Sequence, residues 1–109
     1  MRKEIDKWGT IFYYNEKNKL HREEGPAVEY TTGNKFWYKN GEFHREEGPA
    51  MEFASGTREW YKNGQCHRED GPAVECANGD KEYWYNNVKY PEIKTDEEWI
   101  RFVKLIVFL

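Results

Sequence analysis

A histidine, an arginine and two carboxylates stand in a row at His21-Arg22-Glu23-Glu24, again at His44-Arg45-Glu46-Glu47, and a third time at His67-Arg68-Glu69-Asp70. An imidazole beside a cation and paired acids holds the ingredients of acid–base or phosphoryl chemistry. Histidines in series also raise the question of a shared metal. Spacing argues against both. If each copy contributes two strands at about 4.8 Å apiece, equivalent imidazoles lie about 10 Å apart. They cannot share one ion whose ligands must sit about 2 Å away. Catalysis needs a concave pocket, whereas a one-layer sheet offers a shallow groove. No catalytic residue, cofactor site or metal site is therefore assigned. The expectation is architectural: Arg22, Arg45 and Arg68 pair across to the next copy, while His21, His44 and His67 donate to a turn carbonyl or pack on a ring, so that each copy clips its neighbour.

The elements that position these residues recur with them. HREEGPAVEY at 21–30 returns as HREEGPAMEF at 44–53 and HREDGPAVEC at 67–76, a period of 23 residues. Gly33, Gly56 and Gly79 keep the same period, while Gly9 to Gly33 is 24 because YNEKNKLH replaces the shorter YKNGEFH and YKNGQCH in the first turn. Three full units and a partial fourth begin at Gly9, Gly33, Gly56 and Gly79, and the fourth breaks off at Tyr90-Pro91 where His-Arg would stand. Asn40-Gly41 and Asn63-Gly64 supply the positive φ angles of tight hairpin turns, and Asn86-Asn87 does so less well. Gly-Pro at 25–26, 48–49 and 71–72 makes a second reversal. The expected fold is mainly β: an antiparallel meander of about seven or eight short strands. In one domain of residues 1–109 it comprises a lead-in over 1–8, three and a half hairpin repeats over 9–90, a linker over 91–94 and a capping α-helix over 95–109.

The Trp-x-x-Asn-Gly and Asn-Gly-x-x-His runs, the closing glycine and the period resemble the MORN repeat family over roughly residues 8–90. The glycines are spaced 8 and 15 (Gly33 to Gly41, then to Gly56), the Tyr-x-Gly step of ordinary units is missing, and His-Arg-Glu-Glu/Asp-Gly-Pro-Ala replaces a shorter His-Gly-x-Gly. This HREDGPA-type variant is similar to small repeat proteins of bacteria and their phages. The resemblance implies an elongated antiparallel sheet used for scaffolding or protein binding.

Two aromatic rows accompany the repeat. Tyr13, Trp37, Trp60 and Tyr83 are equivalent, as are Tyr14, Tyr38, Tyr61 and Trp84. Neighbours on a strand point to opposite faces, so each face carries one row. Phe12 and Phe36 add rings in the first two units and become Glu59 and Glu82 in the last two. Alternation leaves open which row packs inward with Val28, Met51 and Val74 and with Tyr30, Phe53 and Cys76; the other forms a partly exposed ring stripe, the usual mark of an interaction surface. Thr95-Asp96-Glu97-Glu98 reads as a capping box. The helix it starts carries Trp99, Phe102, Val103, Ile106 and Leu109 on one face, for an end cap or a partner interface.

Composition narrows the function class. Hydrophobic residues make up 38% of the chain and aromatics 17%, which suits a thin sheet covered by large rings. A net charge of -3 argues against nucleic acid and anionic membranes as partners. The first ten residues hold no apolar stretch of a secretory signal. Cys66 and Cys76 replace larger hydrophobes of the other units and read as reduced thiols, in keeping with a cytoplasmic location, the host's if the chain is phage-encoded. The expectation is a non-enzymatic protein–protein interaction module, an inhibitor or antitoxin-like protein acting on a host or defence protein. The alternative is a small-ligand or nucleotide-binding protein, or an enzyme, that uses the His-Arg-acid turns. Unpaired edge strands, or the helix, would also support a homodimer.

Overall fold

The computed structural model describes residues 1–108; Leu109 of the expected helix face lies outside them. In chain order the strands are β1 (Arg2–Ile5), β2 (Ile11–Tyr14), β3 (Val28–Glu29), β4 (Lys35–Phe36), β5 (Tyr38–Lys39), β6 (Glu42–Phe43), β7 (Met51–Glu52), β8 (Arg58–Glu59), β9 (Tyr61–Lys62), β10 (Gln65–Cys66), β11 (Val74–Glu75), β12 (Lys81–Glu82), β13 (Trp84–Tyr85) and β14 (Val88–Lys89), followed by α1 (Asp96–Val107). Eight of them form one antiparallel sheet in the order β1-β2-β3-β4-β7-β8-β11-β12. The remaining six form three separate hairpins, β5–β6, β9–β10 and β13–β14. A single bridge between Tyr14 and Leu20 closes the corresponding hairpin of the first unit.

The mainly β meander with a C-terminal helix is thus present, its main sheet holding eight strands as expected, while six further short strands split off as hairpins. The physical reason lies at Trp37 and Trp60. Each donates its N–H outward to Ala50 or Ala73, beside the next strand of the main sheet, at 2.7 Å in both cases, and accepts on its carbonyl from His44 or His67 of its own hairpin, at 3.1 Å. A continuous extended segment therefore changes partner at this residue and counts as two strands. The hairpins turn as the Asn-Gly pairs require: φ is 50° at Asn40 and 85° at Gly41, 50° at Asn63 and 80° at Gly64, and 46° at Asn86 and 70° at Asn87.

Register sorts the sheet into two chemically different faces, since directly opposed residues share a face. One row reads Phe12, Val28, Phe36, Met51, Glu59, Val74, Glu82 from strand to strand. The other reads Ile11, Glu29, Lys35, Glu52, Arg58, Glu75, Lys81, an alternation of charge in which Glu52 and Glu75 each lie between two cations and Glu29 between Ile11 and Lys35. The helix begins at its capping box: Thr95 Oγ1 accepts from the Glu98 N–H at 3.2 Å and donates to the Glu98 carboxylate at 3.1 Å. It packs Trp99 and Val103 against Tyr83 of the last unit, with Phe102, Tyr90 and Ile93 around them. No helix is long and apolar enough to cross a membrane among the described residues.

Candidate functional site: the repeated turns and the two ring rows

The HREE turns are built the same way three times. In each, the imidazole Nδ1 accepts the backbone N–H of the asparagine in the next unit's hairpin: His21 from Asn40 at 3.0 Å, His44 from Asn63 at 2.9 Å and His67 from Asn86 at 2.9 Å. An accepting Nδ1 leaves the ring proton on Nε2, which donates to the glutamate two residues on, at 2.6 Å to Glu23, 2.7 Å to Glu46 and 3.0 Å to Glu69. Both nitrogens are thereby engaged, and the one lone pair a base would need already holds a hydrogen bond. The bond from His44, with Lys62 beside it, holds the Glu46 carboxyl below its usual range.

The arginines stay within their own units. Arg22, Arg45 and Arg68 donate through Nη1 to the carbonyl of the proline four residues on, at 3.2, 3.1 and 3.0 Å, and to Glu29, Glu52 and Glu75, at 3.2, 2.9 and 2.9 Å. The expected roles are therefore exchanged: the imidazole, not the guanidinium, reaches the next unit. The cause is the backbone reversal, which folds the arginine over its own turn. There it lies 3.9 Å above the Tyr13 ring, 3.8 Å above Trp37 and 3.9 Å above Trp60. Gly48 completes the sandwich: a Cβ there would come within 3.0 Å of the Arg45 guanidinium carbon, and its φ of 141° disfavours any L side chain.

These guanidiniums fix what lies on the first ring row. Tyr13, Trp37 and Trp60 each have one ring face under a guanidinium. In the fourth unit, where Tyr90-Pro91 replaces His-Arg, Trp99 takes over that duty: its ring centre lies 5.5 Å from that of Tyr83, and its Nε1 donates to the Arg68 carbonyl at 2.8 Å. Burial, and then the bond it donates to Asp96, push the Tyr83 hydroxyl upward in pKa. Each ring of the first row thus has one face covered, whereas the second row shares its face with Val28, Met51 and Val74, the residues expected beside the inward row. Apart from the buried Tyr83, the rings of both rows are half-buried.

That second row lies on the opposite face, with Phe36 as its hub. Phe36 meets Tyr30 at 5.7 Å, Phe53 at 5.5 Å and Phe43 at 6.1 Å between ring centres, and Phe43 continues to Tyr38 at 4.4 Å and Tyr61 at 5.4 Å. Tyr30 and Phe53, expected beside the inward row, meet Phe36 here, and Phe43, which equivalence of ladder positions alone did not single out, joins them by contact. Toward the C-terminus the face becomes polar: the Tyr61 hydroxyl donates to Glu59 at 3.0 Å and Trp84 Nε1 to Glu82 at 2.9 Å. Tyr14 closes the other end, stacked on Phe12 at 6.4 Å with the Arg2 guanidinium 4.4 Å from its centre.

On α1, Trp99 and Val103 are buried and Phe102 and Ile106 half-buried, so the described part of the expected face is the docked one. Leu105, Val107 and Phe108 are exposed on the remainder. Cys66 and Cys76 are free thiols. Compared with protein-family models, curated proteins and solved structures, the chain finds no match.

Proposed function

We propose that the protein is a non-enzymatic interaction module that binds a protein partner through the ring surface centred on Phe36. One observation carries this reading. Tyr30, Phe36, Tyr38, Phe43 and Phe53 adjoin one another, and Tyr30 is 41% exposed. The Arg22, Arg45 and Arg68 guanidiniums and α1 lie against the other ring row. Contiguous half-open rings of this kind are the usual hot-spot material of protein interfaces, because they bury large area at little entropic cost. The likeness to small bacterial and phage repeat proteins makes a host factor, a toxin or a defence protein the partner class, and a cytoplasmic site of action goes with it.

The test is affinity capture from the native host with Tyr30→Glu/Phe53→Glu beside the wild type, each checked for an unchanged fold by circular dichroism. Trp37 and Trp60 are unsuitable probes, since removing them strands Arg45 and Arg68. The double variant is expected to lose the wild-type partner, while Glu24→Lys on the turn side keeps it. Equal capture by the double variant would remove the ring surface from consideration.

A further inference from the structure

The main sheet stops at β12, yet the space beyond is shaped as though it continued. A cleft of about 440 Å³ runs between Gly79–Tyr83, the whole outer edge of β12, and the returning segment Lys89–Lys94. At the other end, β1 is exposed at all four residues. The two ends are related by the repeat. β1 pairs with β2 through Glu4↔Phe12 and Ile5↔Ile11, as β3 pairs with β4 through Val28↔Phe36 and Glu29↔Lys35. β1 is therefore the first strand of a pair that recurs as β3–β4, β7–β8 and β11–β12, and one further pair would place its first strand in the cleft.

We propose that the chain associates with itself head to tail, β1 of one copy adding to β12 of the next. The contacts between successive strand pairs set the register. β4 meets β7 through Lys35↔Glu52 and Phe36↔Met51, and the Trp37 N–H donates to the Ala50 carbonyl. The same offsets place Lys81 opposite Ile5 and Glu82 opposite Glu4 of the second copy, and direct the Tyr83 N–H to its Lys3 carbonyl. Glu82 and Glu4 are like charges, but each already has a cation of its own chain, Lys89 at 3.3 Å and Arg2 at 2.6 Å.

The turns supply the complementarity. Gly9, Gly33 and Gly56 each face the turn of the next strand pair, a Cβ there meeting Thr31, Ala54 or Ala77 at 2.9, 3.3 and 3.8 Å, whereas Gly79 faces open space. Asn34 and Thr57 accept the backbone N–H of Ala54 and Ala77 at 2.8 and 3.1 Å. Asp80 holds their position in the last unit, and the residue equivalent to Ala54 and Ala77 at the head of a second copy is Lys7. A carboxylate acceptor thus awaits an N–H that carries a cation. Such an interface is heterologous and does not close on itself, so it generates a growing series of species and not one dimer. It does not involve the Phe36 surface and stands whether or not that surface binds a partner.

Sedimentation velocity on the full chain over a dilution series tests the proposal. The wild type is expected to grow past dimer with concentration. Asp80→Lys and Lys7→Asp, both on exposed turns outside the core, should each weaken association roughly tenfold through like-charge contact. Mixing the two variants should restore growth, because each then offers the other its complement. Hydrogen exchange at Lys81 and Tyr83 should slow as the wild type is concentrated. A single species of 13.2 kDa up to millimolar concentration would overturn the proposal. So would association that the two charge reversals leave unchanged, since it would then run through another surface.

Discussion

Replacing His44 separates the two hydrogen bonds of the repeated turn. Its ring is buried, its Nδ1 accepts from Asn63 at 2.9 Å, and its Nε2 donates to Glu46 at 2.7 Å. Asparagine places an oxygen near the Nδ1 position and can keep the bond to the next unit. Glutamine reaches the Nε2 position and keeps only the bond to Glu46. The carboxylate of Glu46 is solvent-exposed, so that bond adds little to stability. The bond to Asn63 contributes about 1 kcal/mol, and burial of the ring about another 1 kcal/mol. His44→Ala should therefore cost about 2–3 kcal/mol, His44→Gln about 2 and His44→Asn about 1. Urea denaturation followed by tryptophan fluorescence reads these as shifts of the midpoint. An unchanged slope would mean that the array still unfolds as one body, while a reduced slope in His44→Ala would mean that it divides at the weakened interface. The reasoning is refuted if glutamine protects as well as asparagine, or if alanine costs under about 0.5 kcal/mol, the range of an ordinary surface substitution.

Trp99→Ala should cost about 3–5 kcal/mol, since the indole is fully buried and its loss leaves the Arg68 carbonyl without its donor; loss of helical ellipticity should accompany the drop in midpoint. Gly48→Ala should cost about 1 kcal/mol more than Gly79→Ala, because both have positive φ but only the first pushes a Cβ against a guanidinium; thermal melts compare them. Cys76 should react with an alkylating reagent at neutral pH well before Cys66, which is buried and whose thiol burial pushes up to about 12; mass spectrometry of the labelled peptides decides. Burial also raises the Tyr61 and Tyr83 hydroxyls, so all three groups bind their protons more tightly folded than unfolded. Stability should then be full below about pH 8.5, where the unfolded thiol is still protonated, and fall as pH rises through the range of unfolded cysteine and tyrosine. Cys66→Ala should remove the first part of that fall in alkaline denaturation.

Much of the architecture is written locally and could be read locally. A hairpin at Asn40-Gly41 needs only two residues that tolerate positive φ, and the helix start at Thr95 needs only a hydroxyl and a glutamate three positions on. The period of 23 residues followed from the chain because a repeat that packs on its own copies must keep its contact residues at constant spacing. The partner change at Trp37 and Trp60 was not visible, because it depends on which neighbour reaches each backbone group. The roles of histidine and arginine were legible as a pair of clips but not in their order, since both side chains can donate and only the course of the Gly-Pro reversal sets how far each must reach.

The residues of this chain by themselves determined that it is a repeated antiparallel β-structure with a helix at its end, and that each face of the sheet carries one row of rings. Tertiary structure alone decided what packs on each row. Tyr13 and Tyr14 differ in sequence only by position, and alternation assigns them to opposite faces without saying what meets either face. That comes from residues elsewhere along the chain. Arg22, Arg45, Arg68 and Trp99 arrive over one row through turns and a helix that no local pattern could aim, while the rings around Phe36 pack on one another.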